Sequence, residues 1–245
     1  MATFEVQVEG ITGVDIGAST NPKQAELTEF LKDGVLDVTN KWLAIRPKDA
    51  ELFSRTTSSD SQGVDVGRSQ ILSVLREAGA DGSSDGSTAW RVCNKMPAAF
   101  QSRVVDIDSL HYASKFNPVF VIDSNGLVNV YPVPSSNNGI KVFHINKTPV
   151  NGSSASLAHG HDDILYFPED KVYLVVLYAS IKVLEAVMSN WTQEEEDLEL
   201  SQSTLTHALS LKKQYNEVFG LEDLMAKAQK RKQAEQNKRL TKGRK

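Results

Sequence analysis

The sequence has little or none of several features that mark specialised classes of protein. Its single cysteine, Cys93, excludes an internal disulfide framework and any cysteine-based metal cluster within one chain. The start of the chain, MATFEVQVEG, has neither a basic region nor an apolar core. We therefore expect no classical secretion signal, and we expect synthesis and assembly in a cytoplasm.

Sequence motifs of common catalytic sites are also missing. The chain contains no GxSxG elbow, no phosphate-cradling GxxxxGK(S/T), no HExxH and no GxGxxG at a strand-to-helix junction. The acidic residues Asp106 and Asp108, and the run from Glu194 to Asp197, are candidate acid/base groups. A turn near Ser109 and compensation of a helix dipole explain them better. We therefore predict a protein that is not an enzyme and has no cofactor.

One cluster of side chains is competent to bind a metal ion. Two imidazoles together with carboxylates can hold a divalent ion. The cluster lies, however, in a Gly- and Ser-rich loop, where no helix or strand fixes the ligands, so we favour a solvated loop over a metal site. The cluster consists of His159, His161, Asp162 and Asp163.

The other candidates for chemistry have simpler explanations. We expect His111 in a turn and His144 in a strand. Cys93 follows Trp90 in a predicted strand, and no histidine in the sequence is placed to act as its base, so we predict a buried, inert thiol.

The charge of the chain is small overall but unevenly distributed. The 245 residues carry a net charge of −4, yet nine of the 27 Lys and Arg residues lie within residues 221–245. This basic tail is either solvated or docks onto an acidic protein surface or nucleic-acid phosphates. The candidate docking residues are Lys227, Lys230, Arg231, Lys232, Lys238, Arg239, Lys242, Arg244 and Lys245.

The longest apolar segment begins at Val172. It runs through Ile181 and on to Met188 without a polar stripe or a turn residue, which favours a helix covered on nearly all sides over a buried strand. Lys171 and Lys182 limit the charge-free run to less than the roughly 18 to 20 residues that a bilayer requires. We therefore predict no membrane span.

A second, amphipathic helix follows. Thr192 with Glu195 forms a predicted capping box, and Gly220 lies where a left-handed cap is expected. Its apolar residues recur at helical spacings and pair it with the preceding segment in a helical hairpin. They are Leu198, Leu205, Ala208, Leu211, Tyr215 and Val218.

Before the hairpin, the pattern predicts an irregular start, one long helix and a loop. The helix runs from about Pro22, after an Asn21 N-cap, to Ile45, with Gly34 weakening its middle by roughly 1 kcal/mol relative to Ala. Residues 54–67 are rich in Ser, Asp and Gly and predict an exposed loop. A strand is expected from Gln70 to Arg76, and a mobile hairpin tip from Ala78 to Ala89.

The region from Pro118 to Ile145 changes to short β-rich pieces. The pieces PVFVID, LVNVYPV and IKVFHI are separated by turn residues, so we predict a three-stranded antiparallel meander. The predicted fold class is α+β: a helical bundle, made of a long N-terminal helix and a C-terminal helical hairpin, with an inserted meander. We divide the chain at 1–69, 70–150, 151–220 and 221–245.

Several segments resemble the head-to-tail connector proteins of tailed bacteriophages, of the adaptor or tail tubular protein A type. The resemblance covers roughly Gln70 to Gly220. It consists of the order of the elements and of short sequence segments, and it includes no catalytic signature. The segments that carry it are Asp108 to Ala113, Asn117 to Asp123, Gly126 to Pro132, and Ile164 to Pro168 leading into Tyr173 to Ala179.

The resemblance implies a structural protein of the virion neck or tail. Members commonly form twelve-membered rings that dock beneath the portal protein and receive the tail tube or nozzle, and they are not enzymes. It implies assembly in the host cytoplasm, no membrane and no cofactor, and it allows non-specific contact between the basic tail and packaged DNA. Another tail or baseplate protein, or a nucleic-acid-binding accessory protein, is the alternative.

Overall fold

The computed structural model describes residues 2–78, 90–135, 139–194 and 198–220. The helices are α1 Phe4–Thr12, α2 Gln24–Ile45, α3 Gln101–Val105, α4 Val172–Glu194 and α5 Leu198–Val218. The strands are β1 Ser54–Ser59, β2 Ile71–Glu77, β3 Trp90–Val92, β4 Asn94–Lys95, β5 Val119–Ile122, β6 Val128–Tyr131 and β7 Ile140–Ile145. This mixture of helices and sheets confirms the coarse α+β class.

The chain forms two compact units. The helical unit comprises Met1–Pro47 and Pro149–Lys245, and the β unit comprises Lys48–Thr148. The β unit is therefore inserted between α2 and α4 of the helical unit. The predicted boundary between residues 69 and 70 falls inside the β unit.

The beginning of the chain is a helix, so the prediction of an irregular start is wrong. The Thr3 hydroxyl accepts a hydrogen bond from the Val6 N–H, and Gly13 ends α1 with a φ of 68°. Phe4 and Val8, one turn apart, are fully buried. Two buried residues are too few to give a helical periodicity in the sequence, which explains why the pattern missed this element.

Helix α2 confirms the predicted long helix, but its start differs. The N-cap is Lys23 instead of Asn21, and the Glu26 carboxylate accepts a hydrogen bond from the Lys23 N–H at 2.8 Å. At Gly34, a Cβ atom would lie 3.1 Å from Cδ1 of Tyr178 and 3.2 Å from Cγ1 of Val175. Glycine at this position therefore allows α2 to approach α4 closely.

Helix α4 is the core of the helical unit, as its apolar sequence predicts. It packs against α1, α2 and α5. Thr192 lies inside α4, so its predicted role as the cap of the next helix is wrong, while Glu195 to Asp197 lie outside the described residues. The buried residues of α4 are Leu174, Val175, Val176, Leu177, Ala179, Ser180, Ile181, Val183, Leu184 and Val187.

Helix α5 completes the predicted hairpin. Ala208, Leu211 and Tyr215 are buried as expected, and Gly220 has the predicted left-handed conformation with a φ of 61°. Leu205 is 46% exposed and Val218 is 40% exposed, so the predicted apolar face is narrower than its sequence indicates.

The predicted three-stranded meander is wrong in its last strand. β5 and β6 form the expected antiparallel hairpin, and β4 joins β5 in parallel. β7 instead belongs to a four-stranded sheet with the order β1-β7-β2-β3. It pairs antiparallel with β1 on one side and β2 on the other. The strand character of β7 is a local property, whereas its partner is decided by contacts distant in sequence.

The segment predicted as an exposed loop contributes both a strand and core residues. Residues 54–59 form β1, an edge strand whose polar side chains are half exposed. Val64 and Val66, farther along the same segment, are buried. They join a core that draws on both sheets, with Val74, Cys93, Phe120, Val128, Val130, Ile140 and Val142.

Candidate interaction surface

The predicted metal-competent loop is exposed along much of its length, as expected of a solvated loop, but hydrogen bonds also fix it to the helical unit. The carbonyl of His161 accepts a hydrogen bond from the N–H of Phe4 at 2.8 Å, and the carbonyl of His159 accepts one from the N–H of Glu5 at 3.1 Å. These N–H groups belong to the first turn of α1, where a helix provides no acceptor of its own. The loop therefore caps α1.

The ring nitrogens of the two histidines are also used locally. Nδ1 of His159 lies 3.1 Å from the Thr28 hydroxyl, and its Nε2 lies 3.8 Å from the Glu5 carboxylate. Nδ1 of His161 accepts a hydrogen bond from the N–H of Ala158 at 3.0 Å. Asp163 accepts one from the N–H of Gly152. Among the described residues, no three His, Cys, Asp or Glu side chains are grouped to hold a metal ion.

Cys93 and the remaining histidines have the structural positions expected of them. Cys93 is 4% exposed, and burial raises the pKa of its thiol to about 12, against a smaller lowering by Arg76. A neutral, inaccessible thiol is a poor nucleophile. His111 lies in a turn, and His144 lies in β7, where burial lowers its pKa.

Two of the open clefts in the described part of the β unit carry acidic residues. One, of about 350 Å³, is lined by Arg68 and Asp123 among others, and the second, of about 440 Å³, includes Glu51. The Asp123 carboxylate accepts hydrogen bonds from the N–H groups of Asn125 and Leu127 and so shapes the β5–β6 turn. The Asp123 carboxylate therefore has a structural role in this turn.

The most distinctive surface of the described residues is the loop at residues 105–116, between α3 and β5. Its base is fixed because the N–H of Ala113 donates to the carbonyl of Val104 at 2.9 Å. Both residues are buried in a small core with Val119, Val121 and Tyr131. The loop therefore leaves and re-enters the unit at one anchored point.

Turns within the loop order its outermost part. The Asp106 carboxylate accepts a hydrogen bond from the N–H of Asp108, and the Asp106 carbonyl accepts one from the N–H of Ser109. The Ser109 hydroxyl and carbonyl in turn accept from the N–H groups of His111 and Tyr112. This confirms the turn predicted near Ser109 and explains why Asp and Ser occur here.

The ordered loop exposes large apolar side chains. Val105 is 57% exposed, Ile107 is 74% exposed and Leu110 is fully exposed. Phe116, at the end of the loop, is 65% exposed. Single exposed apolar residues are common, but several within a short segment of ordered backbone are typical of a protein–protein contact.

The loop also separates charges of opposite sign. At its outer part, which we call the loop tip (residues 105–110), the exposed carboxylates of Asp106 and Asp108 alternate with Val105 and Ile107. No Lys or Arg occurs between residues 104 and 114. Cations lie instead beside Phe116, with Lys115 and Arg91 at 5.4 and 5.1 Å from its ring centroid. The loop tip is therefore apolar and acidic.

Sequence reasoning missed the exposed apolar surface of the 105–116 loop. Asp106 and Asp108 were explained as turn residues, which is correct, but the alternation of apolar residues with them covers only four residues, too few to predict an element. The alternation V-D-I-D beside turn residues was the available signal. The predicted docking residues, Lys227 to Lys245, lie outside the described residues.

One described helix meets the length and composition criteria for crossing a membrane. It spans Glu169–Asn190, with a mean hydropathy of 1.7 in its most apolar window. Half of that window is buried within the protein. Because a core helix meets the same criteria, this is weak evidence for a span.

Comparison with known proteins supplies no family for the chain. No protein-family profile matches the sequence, and no curated protein matches it.

Proposed function

We propose that the chain is a structural subunit of a tailed-bacteriophage virion, an adaptor in a ring that connects the portal to the tail. The proposal starts from the resemblance in segments such as Asp108 to Ala113 and Gly126 to Pro132. A helical unit with an inserted β unit is compatible with it. The helical unit would supply the wall of the ring, and the β unit would contact the next component.

The observation that carries the proposal is the ordered, exposed apolar surface of the 105–116 loop. An exposed group of Ile107, Leu110 and Phe116 is unfavourable in water, and it is retained here on a backbone that hydrogen bonds hold in place. Such a surface is suited to a partner protein rather than to catalysis. The function therefore lies in assembly, without an enzymatic step.

The core of the helical unit suits a load-bearing wall. Helix α4 is enclosed by α1, α2 and α5, so its shape is fixed within the subunit itself. Contacts with other copies and with the portal are then left to surface elements. In this proposal the ring is a homo-oligomer, with twelve copies as the resemblance implies.

The test is cryo-electron microscopy of the particle that contains this chain. We expect a closed ring of copies between portal and tail, with the 105–116 loop at a protein–protein contact. Density for the chain elsewhere in the tail or baseplate would replace the adaptor role with another structural role. Absence of the chain from any virion would refute the proposal.

A nucleic-acid-binding accessory role is the second candidate, and the basic tail favours it. Residues 221–245 hold nine basic and three acidic residues, a net charge of +6. Binding through these residues would be non-specific and would weaken steeply with salt. If deletion of residues 227–245 leaves DNA binding unchanged in a filter or anisotropy assay, this candidate fails.

A further inference from the structure

We propose that the loop tip, residues 105–110, binds the basic tail, residues 221–245, of a second copy of the chain. The tip is formed by Val105, Ile107 and Leu110 with the carboxylates of Asp106 and Asp108. The inference takes one element from the proposed function, namely that copies of the chain lie side by side. It can be tested on the purified protein, without a virion.

Charge complementarity selects the tail as the occupant of the loop tip. Residues 221–245 carry a net charge of +6, whereas residues 1–220, with 18 basic and 28 acidic residues, carry −10. The net charge of residues 1–220 of a second copy would therefore repel the two carboxylates of the tip. The tail is the strongly basic segment of the sequence, and it would attract them.

Contact between two identical tips is disfavoured for the same reason. A symmetric pair would bring Asp106 and Asp108 of both copies together, and like charges at an interface are costly. A contact between the tip of one copy and the tail of the next joins different surfaces. Repeated around a rotation axis, such a contact closes a ring.

The tail also carries apolar side chains for the apolar part of the tip. Leu224 and Met225 lie just before its first basic residue, Lys227, and Leu240 follows Arg239. They match a surface in which Ile107 and Leu110 lie beside carboxylates. The 25 residues that follow Gly220 reach at most about 80 to 90 Å when extended, which is enough to contact a neighbouring molecule.

The test is zero-length crosslinking of full-length protein with a carbodiimide, which joins a carboxylate to a lysine amine in direct contact. Natural-abundance and ¹⁵N-labelled protein are mixed at high salt, dialysed to low salt, crosslinked and digested for mass spectrometry. We expect mixed-isotope peptides that link Asp106 or Asp108 to tail lysines such as Lys230 or Lys232. Their yield should fall as salt rises, because the attraction is screened.

Two variants distinguish specific binding at the loop tip from non-specific association. In the double variant Ile107→Ser/Leu110→Ser both carboxylates remain, but we expect the mixed-isotope crosslinks to fall about tenfold, because apolar contact is lost. Both side chains are exposed, so the variant should fold. The matched control, Leu52→Ser, changes a leucine that is 60% exposed elsewhere in the β unit and should leave the yield unchanged.

Three results would overturn the inference. They are the absence of links between the tip and the tail, links only between residues of the same isotope, and a yield in the double variant equal to that of Leu52→Ser. None of them decides whether the chain is a virion protein. A ring seen by cryo-electron microscopy with no tail at the loop tip would likewise reject this contact and keep the proposed function.

Discussion

Replacing Gly34 with alanine should destabilise the helical unit, although alanine is the better helix former. Within a helix, alanine is favoured over glycine by about 1 kcal/mol. At position 34, however, the new Cβ would lie 3.1 Å from Tyr178, 3.2 Å from Val175 Cγ1 and 3.4 Å from the Val175 carbonyl oxygen. Overpacking of this kind costs about 1 to 3 kcal/mol. We expect a net loss of about 1 kcal/mol in the free energy of unfolding.

Gly10 provides the matched control, because it is also helical but has open space around it. A Cβ at position 10 of α1 meets nothing within 4 Å. Gly10→Ala should therefore stabilise the protein by up to about 1 kcal/mol, since only the propensity changes. The two substitutions are chemically identical and should have opposite signs.

Urea denaturation followed by far-UV circular dichroism measures both changes, at one fixed protein concentration so that self-association does not differ. The slope of the transition should be unchanged in both variants. If Gly34→Ala is as stabilising as Gly10→Ala, α2 and α4 are not in close contact at Gly34, and the packing described for α4 is incorrect.

Four further outcomes follow from side chains with polar or ionisable groups. Tyr215→Phe should lower the free energy of unfolding by about 1.5 to 3 kcal/mol, because the Tyr215 hydroxyl donates to the Asp37 carboxylate at 2.6 Å; chemical denaturation measures the loss. The thiol of Cys93, whose pKa burial raises to about 12, should resist thiol reagents at pH 8 and react once the protein is unfolded. Above about pH 9 the Cys93 thiol loses its proton in the unfolded chain but keeps it in the folded protein. The free energy of unfolding should therefore fall between about pH 9 and pH 12. In Cys93→Ala, denaturation midpoints measured over this range should decline less. His159→Ala should lower the melting temperature by removing the contact with Thr28, a loss of about 1 kcal/mol.

Each of these outcomes has a control or a contradicting result. Tyr173→Phe changes a tyrosine that is 53% exposed and should leave stability within about 0.5 kcal/mol. Rapid labelling of native Cys93 would contradict its burial. A rise in the melting temperature of the wild-type protein on adding Zn²⁺, abolished by His159→Ala, would show that the loop binds metal after all.

Local patterns in the sequence predicted the elements whose cause is local. Helix α4 is apolar around its circumference, and α2 carries a continuous apolar face, so both were predictable within a few residues. The turn at Gly126 and the left-handed Gly220 were likewise predictable from residue type. Burial of Cys93 followed from its place next to a strand.

Errors arose where a distant contact decides the outcome. β7 has the composition of a strand, but its pairing with β1 joins residues far apart in the sequence, which no local window can detect. Thr192 has the spacing of a capping box, yet α4 continues through it. The loop containing His159 is rich in flexible residues, and it is ordered only because α1 and Thr28 supply its hydrogen-bond partners.

The loop tip was missed for a different reason. Its apolar residues have no core to face, so periodicity, which detects burial, gives no signal for them. Only the structure shows that the backbone around Asp106 is ordered while Ile107 and Leu110 are exposed. If the loop tip is a contact surface, as we propose, its sign is an ordered backbone that carries exposed apolar side chains.

The register of β1 and β7 bears on the order in which the chain folds. Ser54 lies opposite Ile145, and the N–H of Asn146 donates to the carbonyl of Phe53, so the two ends of the β unit are pinned together. Helices α2 and α4 are separated by residues 46–171. Once the β unit has formed, only the short stretches 46–53 and 146–171 connect the two helices through it, which lowers the entropic cost of bringing them together by about 1 kcal/mol. We expect the β unit to form first. Substitutions that weaken β1–β7 pairing should then slow the folding of the helices in stopped-flow measurements, even though they touch no helix.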